Sequence, residues 1–138
     1  MSENKDIGNI YNSWCEQVKG NLEKMENEFN EIVNNFNTYV DRYSITVDYS
    51  KFSEINQTLG EISVLAHVGR ELLYYGDVDF IEYRNKFSEQ MFKVINVSVD
   101  IIKRILNRED TPNTMYFYAE YRNLQKLVYE MLNKKLAH

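Results

Sequence analysis

The sequence predicts an all-α protein, an antiparallel (up-down) four-helix bundle with a long first helix. Only one proline and five glycines interrupt the 138 residues, whereas an all-β chain needs many turns. Apolar side chains recur every three or four positions along four segments, which is the spacing of a helix with one buried face. The length fits a single domain over residues 1–138.

The first predicted helix covers residues 4–43 and is the longest. Its apolar side chains follow one another at steps of three and four: Ile7, Tyr11, Trp14, Val18, Leu22, Met25, Phe29, Ile32, Phe36, Tyr39 and Tyr43. A helix of this length exceeds what a small bundle can cover. We therefore expect either a kink at Gly20 or first turns that protrude from the bundle.

The second predicted helix covers residues 51–75, with Asp48 or Ser50 as its N-cap and Gly76 as its C-terminal stop. Its apolar positions are Phe52, Ile55, Leu59, Ile62, Ala66, Gly69 and Leu73. Ala66 and Gly69 are small residues where large ones are expected. They would let a neighbouring helix approach closely.

The third and fourth predicted helices cover residues 80–107 and 112–135. Asp79 and Glu82 have the spacing of a capping box before the third helix, and Thr111 with Pro112 is a typical start for the fourth. Their main apolar positions are Phe80, Phe87, Met91, Val94, Ile101 and Ile105, then Phe117, Tyr121, Leu124, Val128 and Met131. The short connections between the second and third helices and between the third and fourth predict that those helices pack antiparallel.

The tetrapeptide Glu-Tyr-Arg-Asn occurs at residues 82–85 and again at 120–123. The apolar spacing predicts that Arg84 lies in the buried stripe of its helix, whereas Tyr121 holds that position in the second copy. Because the two copies are predicted to lie differently around their helices, we favour a chance recurrence of the tetrapeptide over a duplicated element. Arg84 then either extends its charged end to water or pairs with a carboxylate of another helix or of a partner.

Charge and composition predict a soluble, acidic, cytoplasmic protein. The net charge is −5. Residues 1–69 carry 11 acidic and 5 basic side chains, and residues 70–138 carry 10 acidic and 11 basic. This balance disfavours a general nucleic-acid binder. One cysteine suits a reducing compartment, and neither a signal peptide nor a membrane span is expected.

The residue types that catalysis and metal binding require are scarce. The histidines are His67 and His138, too few for di-iron or zinc ligand sets. Cys15 has no neighbouring histidine to act as its base, and we expect His67 to bond Glu71 or water at the edge of the core. We therefore predict no catalytic residue, no metal and no cofactor.

Tyrosines are unusually frequent, with 11 in the chain. They either cover the rim of the core or form a partner-binding surface, since tyrosine and arginine are enriched at interaction hot spots. The candidate surface comprises Tyr74, Tyr75, Tyr83, Arg84, Tyr116, Tyr118 and Arg122.

These features favour a non-catalytic helical module for protein–protein interaction. It would be a small subunit, regulator or inhibitor that docks on a partner protein or self-assembles into a homo-oligomer. A protruding first helix would offer Ile7, Tyr11 and Trp14 for self-association.

The alternative is a small helical component of a nucleoprotein assembly, such as a subunit of an RNA-guided complex or a viral coat-like protein. Its third and fourth helices would contact phosphates through Lys86, Lys93, Lys103, Arg104, Arg108 and Lys126. An enzyme or sensor with a pocket inside the bundle has no positive support. The acidic residues of the first helix (Glu16, Glu23, Glu26, Glu28 and Glu31) could imitate a nucleic acid, but a solvated helix face is favoured.

Overall fold

The structure, a computed structural model, describes residues 21–38, 49–75, 78–106 and 113–136. They form four helices: α1 over residues 21–38, α2 over Tyr49–Tyr74, α3 over Phe80–Leu106 and α4 over Met115–Leu136. The described part of the chain contains no strand, so the predicted all-α class is confirmed. Gly20 lies outside the described residues, and the kink and the protrusion of the first helix stay predictions.

One hydrophobic core lies between the four helices. Most positions that the helical spacing predicts to be apolar and inward-facing are buried in it. The buried members are Leu22, Phe29 and Phe36 of α1; Ile55, Leu59, Ile62, Ala66 and Leu73 of α2; Phe87, Met91, Val94, Ile101 and Ile105 of α3; and Phe117, Leu124, Val128 and Met131 of α4. Burial of each large apolar side chain contributes about 1.5–3 kcal/mol to stability, so this core is the main stabilising feature.

Asp79 caps α3 as the sequence predicts. Its Oδ1 accepts hydrogen bonds from the backbone N–H groups of Ile81, at 3.0 Å, and Glu82, at 3.3 Å. Its carbonyl oxygen accepts from the N–H of Tyr83 at 3.1 Å. These bonds satisfy donors that have no partner within the helix. The Glu82 carboxylate, predicted to complete a capping box, pairs with Lys134 Nζ at 2.5 Å.

Helix α4 begins at Met115, three residues later than the predicted start at Pro112. The Oδ1 atom of Asn113 accepts a hydrogen bond from the N–H of Met115 at 3.0 Å. The carbonyl of Thr114 accepts the bond from Tyr118 N–H at 3.0 Å. Because an asparagine side chain competes for nearby backbone donors, the helix starts after Asn113, and the predicted threonine–proline start is wrong.

Gly69 brings α2 and α3 close together, as its position in the apolar seam predicts. A Cβ atom added at Gly69 would lie less than 3.0 Å from three atoms of the Phe87 ring. The ring therefore occupies the space that any other residue would need for its side chain. This contact sets how far apart the two helices lie at this level.

Contacts between helices establish their relative directions. Helices α1 and α2 run in opposite directions, as do α3 and α4, because contacting residue numbers rise along one helix and fall along the other. The contacts are Glu26–His67 and Asn30–Ser63 for the first pair, and Glu82–Lys134 and Gln90–Glu120 for the second.

Helices α2 and α4 are neighbours that run in the same direction. Tyr118 lies beside Glu54, and Tyr121 lies beside Glu61, so residue numbers rise together along both helices. Helix α4 also packs against α3, and α1 contacts α2 and α3. The contacting parallel pair was not foreseen from the sequence, and the up-down order of the whole bundle stays a prediction.

Candidate docking surfaces

The predicted tyrosine and arginine surface is divided between two levels of the bundle. Since α2 and α4 run in the same direction with Tyr121 beside Glu61, Tyr116 lies level with the N-terminal half of α2. Tyr75 lies just after the C-terminal end of α2. At 1.5 Å per residue the two tyrosines are about 28 Å apart along the bundle. One partner site cannot be centred on both.

Tyr83 lies in the core and not on the predicted surface. It is 0% exposed, and its ring centre is 5.5 Å from the Nζ of Lys86 and 5.1 Å from the Nζ of Lys134. Arg84, predicted to occupy the buried stripe, is only half-buried. The stripe passes through Tyr83, which lies three residues after Phe80 and four before Phe87 and so continues the same helical spacing.

The two copies of Glu-Tyr-Arg-Asn are consequently more alike in orientation than predicted. In each copy the tyrosine is more buried than the arginine that follows it. Their contacts differ, since Tyr83 presents its ring to two ammonium groups and Tyr121 donates its hydroxyl hydrogen to Glu61. The predicted difference in phase was wrong, while the difference in surroundings remains.

The other members of the predicted surface are exposed or lie at the edge of the core. Tyr74 and Tyr75 are both exposed, with ring centres 5.4 Å apart at an interplanar angle of 72°. Tyr116 and Arg122 are exposed on α4. Tyr118 is half-buried, and its ring packs edge-on against Phe117. Some of these tyrosines therefore cover the edge of the core and others face solvent, and the partner-binding role of the exposed ones stays a prediction.

A row of tyrosine–carboxylate contacts joins α2 to α4. The hydrogen bond to Glu61, followed by burial, raises the pKa of Tyr121 to about 12. Burial is the main cause that raises the pKa of Tyr118, and the charge of Glu54 adds to it. A carboxylate stabilises the protonated phenol that donates to it. These contacts hold both hydroxyl groups in place.

A groove of about 500 Å³ runs beside this row. Val64 and Tyr129 line it and are 62% and 52% exposed. Gly60 also lines it, and a Cβ atom added there would have no neighbour within 4 Å. The Gln125 amide donates to the hydroxyl of Tyr129 at 3.5 Å. The groove thus combines apolar walls, polar groups and an open floor, as binding sites do.

The sequence analysis missed this groove. Gly60 and Val64 are one helical turn apart on the side of α2 that faces away from the apolar seam, and that spacing was a visible signal. The pairing of this face with Tyr129 depends on the parallel packing of α2 and α4, which the sequence did not indicate.

A second groove, of about 550 Å³, lies between α1 and α3. Met25 and Phe92 supply its apolar part, and Phe92 is 61% exposed. Four exposed charged residues line it, a lysine and a glutamate on each helix: Lys24 and Glu28 on α1, Glu89 and Lys93 on α3.

An ion-pair cluster joins α1 to α2 on another face. Glu26 is 7% exposed, and its carboxylate accepts hydrogen bonds from Arg70 Nε and, at 2.9 Å, from His67 Nδ1. His67 Nε2 also lies 3.5 Å from Glu71, the neighbour expected from the sequence. Burial lowers the pKa of Arg70, but the hydrogen bond to Glu26 and the charges of Glu26, Glu71 and Glu23 together outweigh it, and the pKa is raised. This cluster is a structural connection between helices.

The residues predicted to contact phosphates are not grouped by sign. Lys86, Lys93 and Lys103 are exposed along α3, but exposed Glu82, Glu89 and Asp100 alternate with them. Arg104 pairs with Asp100 at 3.0 Å. Lys126 is exposed on α4, and Arg108 lies outside the described residues. A mixed surface attracts polyanions weakly, so the nucleoprotein alternative gains no support.

Several predicted residues lie outside the described part of the chain: Ile7, Tyr11, Trp14, Cys15 and His138. Within residues 21–38, 49–75, 78–106 and 113–136, no group of three or more acidic, histidine or cysteine side chains could hold a metal ion. Among the described helices, none has the length and apolar character needed to cross a membrane. No protein-family model, curated protein or solved structure matches this chain.

Proposed function

We propose that this chain is a non-catalytic helical module that docks on a partner protein through the groove between α2 and α4. The observation that carries the proposal is the pair of exposed apolar side chains, Val64 and Tyr129, beside the open floor at Gly60. A partner side chain placed over Gly60 would bury both at once, and aromatic anchors of this kind contribute much of the free energy of binding at interfaces.

The charges beside the groove indicate what the partner carries. Glu54 and Glu61 are exposed along the α2 side. A matching partner segment has an apolar side chain for the floor and basic residues next to it, because complementary charges orient two proteins and speed their association. Binding should therefore weaken as salt concentration rises.

The test is a substitution that fills the groove. Gly60→Leu places a side chain on the open floor, where its Cβ atom has no neighbour within 4 Å, and Ala119→Leu on the exposed face of α4 is the matched control. Partners captured from the source cell with wild-type protein are purified, and their affinities are measured by calorimetry. We expect Gly60→Leu to weaken binding about tenfold or more, which corresponds to the loss of one anchor contact. Ala119→Leu should leave binding unchanged. Equal binding by all three proteins contradicts the proposal.

A further inference from the structure

The groove between α1 and α3 carries a pattern of charge that is complementary to itself. Each helix contributes one lysine and one glutamate four residues apart: Lys24 and Glu28, then Glu89 and Lys93. All four are exposed. A rim with two charges of each sign, balanced on each helix, suits neither a purely acidic nor a purely basic partner.

The two charged pairs lie at nearly the same level of the bundle. Helices α1 and α3 run in the same direction, since α1 opposes α2, α2 parallels α4, and α4 opposes α3. Ser88 Oγ donates to the sulfur of Met25 at 4.0 Å, which aligns the two helices. The midpoints of the two pairs are then about 3 Å apart along the axis, or two residues at 1.5 Å each.

A two-fold axis that lies in the interface, perpendicular to the helices and at that level, relates the two copies. It places the charges of the second copy in the reverse order along each helix. Lys24 would then face Glu28 of the second copy, and Glu89 would face Lys93 of the second copy. All four contacts across such an interface join opposite charges, and each contact occurs twice by symmetry, so this surface is complementary to itself.

We propose that a second copy of this chain docks antiparallel on the groove between α1 and α3 and forms a two-fold symmetric dimer. Phe92 lies next to the axis in this arrangement and meets its counterpart. Burial of this exposed ring supplies the attraction. The charged rim sets the antiparallel orientation and contributes little affinity of its own.

The dimer should be weak. Lys24 already lies 4.0 Å from Glu28 within the chain, so dimer formation exchanges one exposed ion pair for another. A small interface of this type belongs to the transient class. The surface also differs from the predicted self-association residues Ile7, Tyr11 and Trp14, which lie outside the described residues.

Paired charge variants test the proposal directly. Lys24→Glu with Lys93→Glu makes the rim wholly acidic, and Glu28→Lys with Glu89→Lys makes it wholly basic. Sedimentation velocity, over concentrations up to about 1 mM to reach weak affinities, measures association. We expect wild-type protein to dimerise, each double variant alone to be monomeric, and an equimolar mixture of the two to form a dimer of one copy of each.

Controls separate this surface from changes in net charge or folding. Lys103→Glu with Lys126→Glu changes the net charge by the same amount as the acidic double variant, at exposed positions outside the groove, and should dimerise like the wild type. Phe92→Ala should weaken dimerisation at least about tenfold, and Gly60→Leu should leave it unchanged. Circular dichroism verifies helicity. A wild type that stays monomeric, acidic or basic variants that still dimerise alone, or a mixture of folded variants that fails to associate would each overturn the proposal.

Discussion

Two glycines of α2 have opposite surroundings, although both lie inside a helix. Gly60 faces open space, whereas Gly69 faces the ring of Phe87. The same substitution at the two positions therefore separates the intrinsic helix propensity of alanine from the effect of packing. Glycine is less favourable than alanine within a helix by about 0.5–1 kcal/mol.

We expect Gly60→Ala to raise the free energy of unfolding by about 0.5–1 kcal/mol. Gly69→Ala should lower it by about 1–2 kcal/mol, because overpacking of the core outweighs the gain in propensity. Urea denaturation followed by circular dichroism measures both values. Two changes of the same sign would contradict the close contact between Gly69 and Phe87.

Tyr121 should make the stability of the folded protein depend on pH in the alkaline range. Its folded pKa of about 12 is above the ordinary value of about 10, so folding favours the protonated phenol. Its contribution is fully present below pH 10 and is lost as the pH rises through about 12.

Tyr121→Phe should lower the free energy of unfolding by about 1 kcal/mol at pH 8, and the difference from the wild type should shrink as the pH rises above 10. Tyr116→Phe, at an exposed tyrosine, should match the wild type throughout. Thermal unfolding between pH 8 and 11 measures the three proteins. A constant difference across this range would show that the phenol of Tyr121 does not carry the effect.

At the scale of helices, α1 and α2 are joined by a polar contact beside the apolar core. The carboxylate of Glu26 is nearly buried and depends on Arg70 for its main charged partner. Removing one member of such a pair leaves an uncompensated charge. The described contacts between α2 and α4 are different, because neutral phenols donate to exposed carboxylates there.

Arg70→Met should therefore lower the free energy of unfolding by about 3 kcal/mol and increase amide hydrogen exchange in α1. Lys24→Met removes an exposed partner of Glu28 and should change the stability by less than about 0.5 kcal/mol. A double substitution, Glu26→Leu with Arg70→Met, should recover much of the loss. If Arg70→Met behaves like Lys24→Met, the cluster does not hold α1 in place.

The helices themselves could be predicted from the sequence, but their partners could not. Spacing places Ile62 and Leu124 in the core because the helical period indicates which face of a helix is buried. The neighbour of each helix depends on contacts distant in sequence, such as Tyr121 with Glu61. The start of α4 was misplaced because the side chain of Asn113 competes locally with the threonine–proline signal.

For the whole molecule, the distribution of charge bears on the nucleoprotein alternative. Basic residues on α3 alternate with acidic ones, and the net charge is −5. A binder that neutralises several phosphates shows affinity that falls steeply with salt. The alternating charges on the described part of α3 disfavour this behaviour.

We expect no binding of single-stranded RNA or duplex DNA at about 0.15 M salt, where surface charges are screened beyond about 8 Å. Fluorescence anisotropy with labelled oligonucleotides measures it. Binding at low salt that weakens along a steep logarithmic slope would restore the alternative, and Lys93→Glu would then identify the face involved.

The candidate surfaces were predicted less well than the fold. The candidate surface predicted from the sequence included Tyr75 and Tyr116, which are exposed, but also Tyr83, which is buried. The sequence could not show that Tyr75 and Tyr116 lie about 28 Å apart along the bundle, because that distance depends on the directions and contacts of α2 and α4. Predicting the groove at Gly60 would have required the same directions and contacts.

Because the backbone at Gly69 lies against the ring of Phe87, we expect the two positions to change together in related sequences. A related chain that gained a side chain at position 69 could keep this helix spacing only with a smaller residue at position 87. Homologous sequences should therefore exchange the two together, and such paired exchange would identify relatives that share this packing even where little else in their sequences agrees.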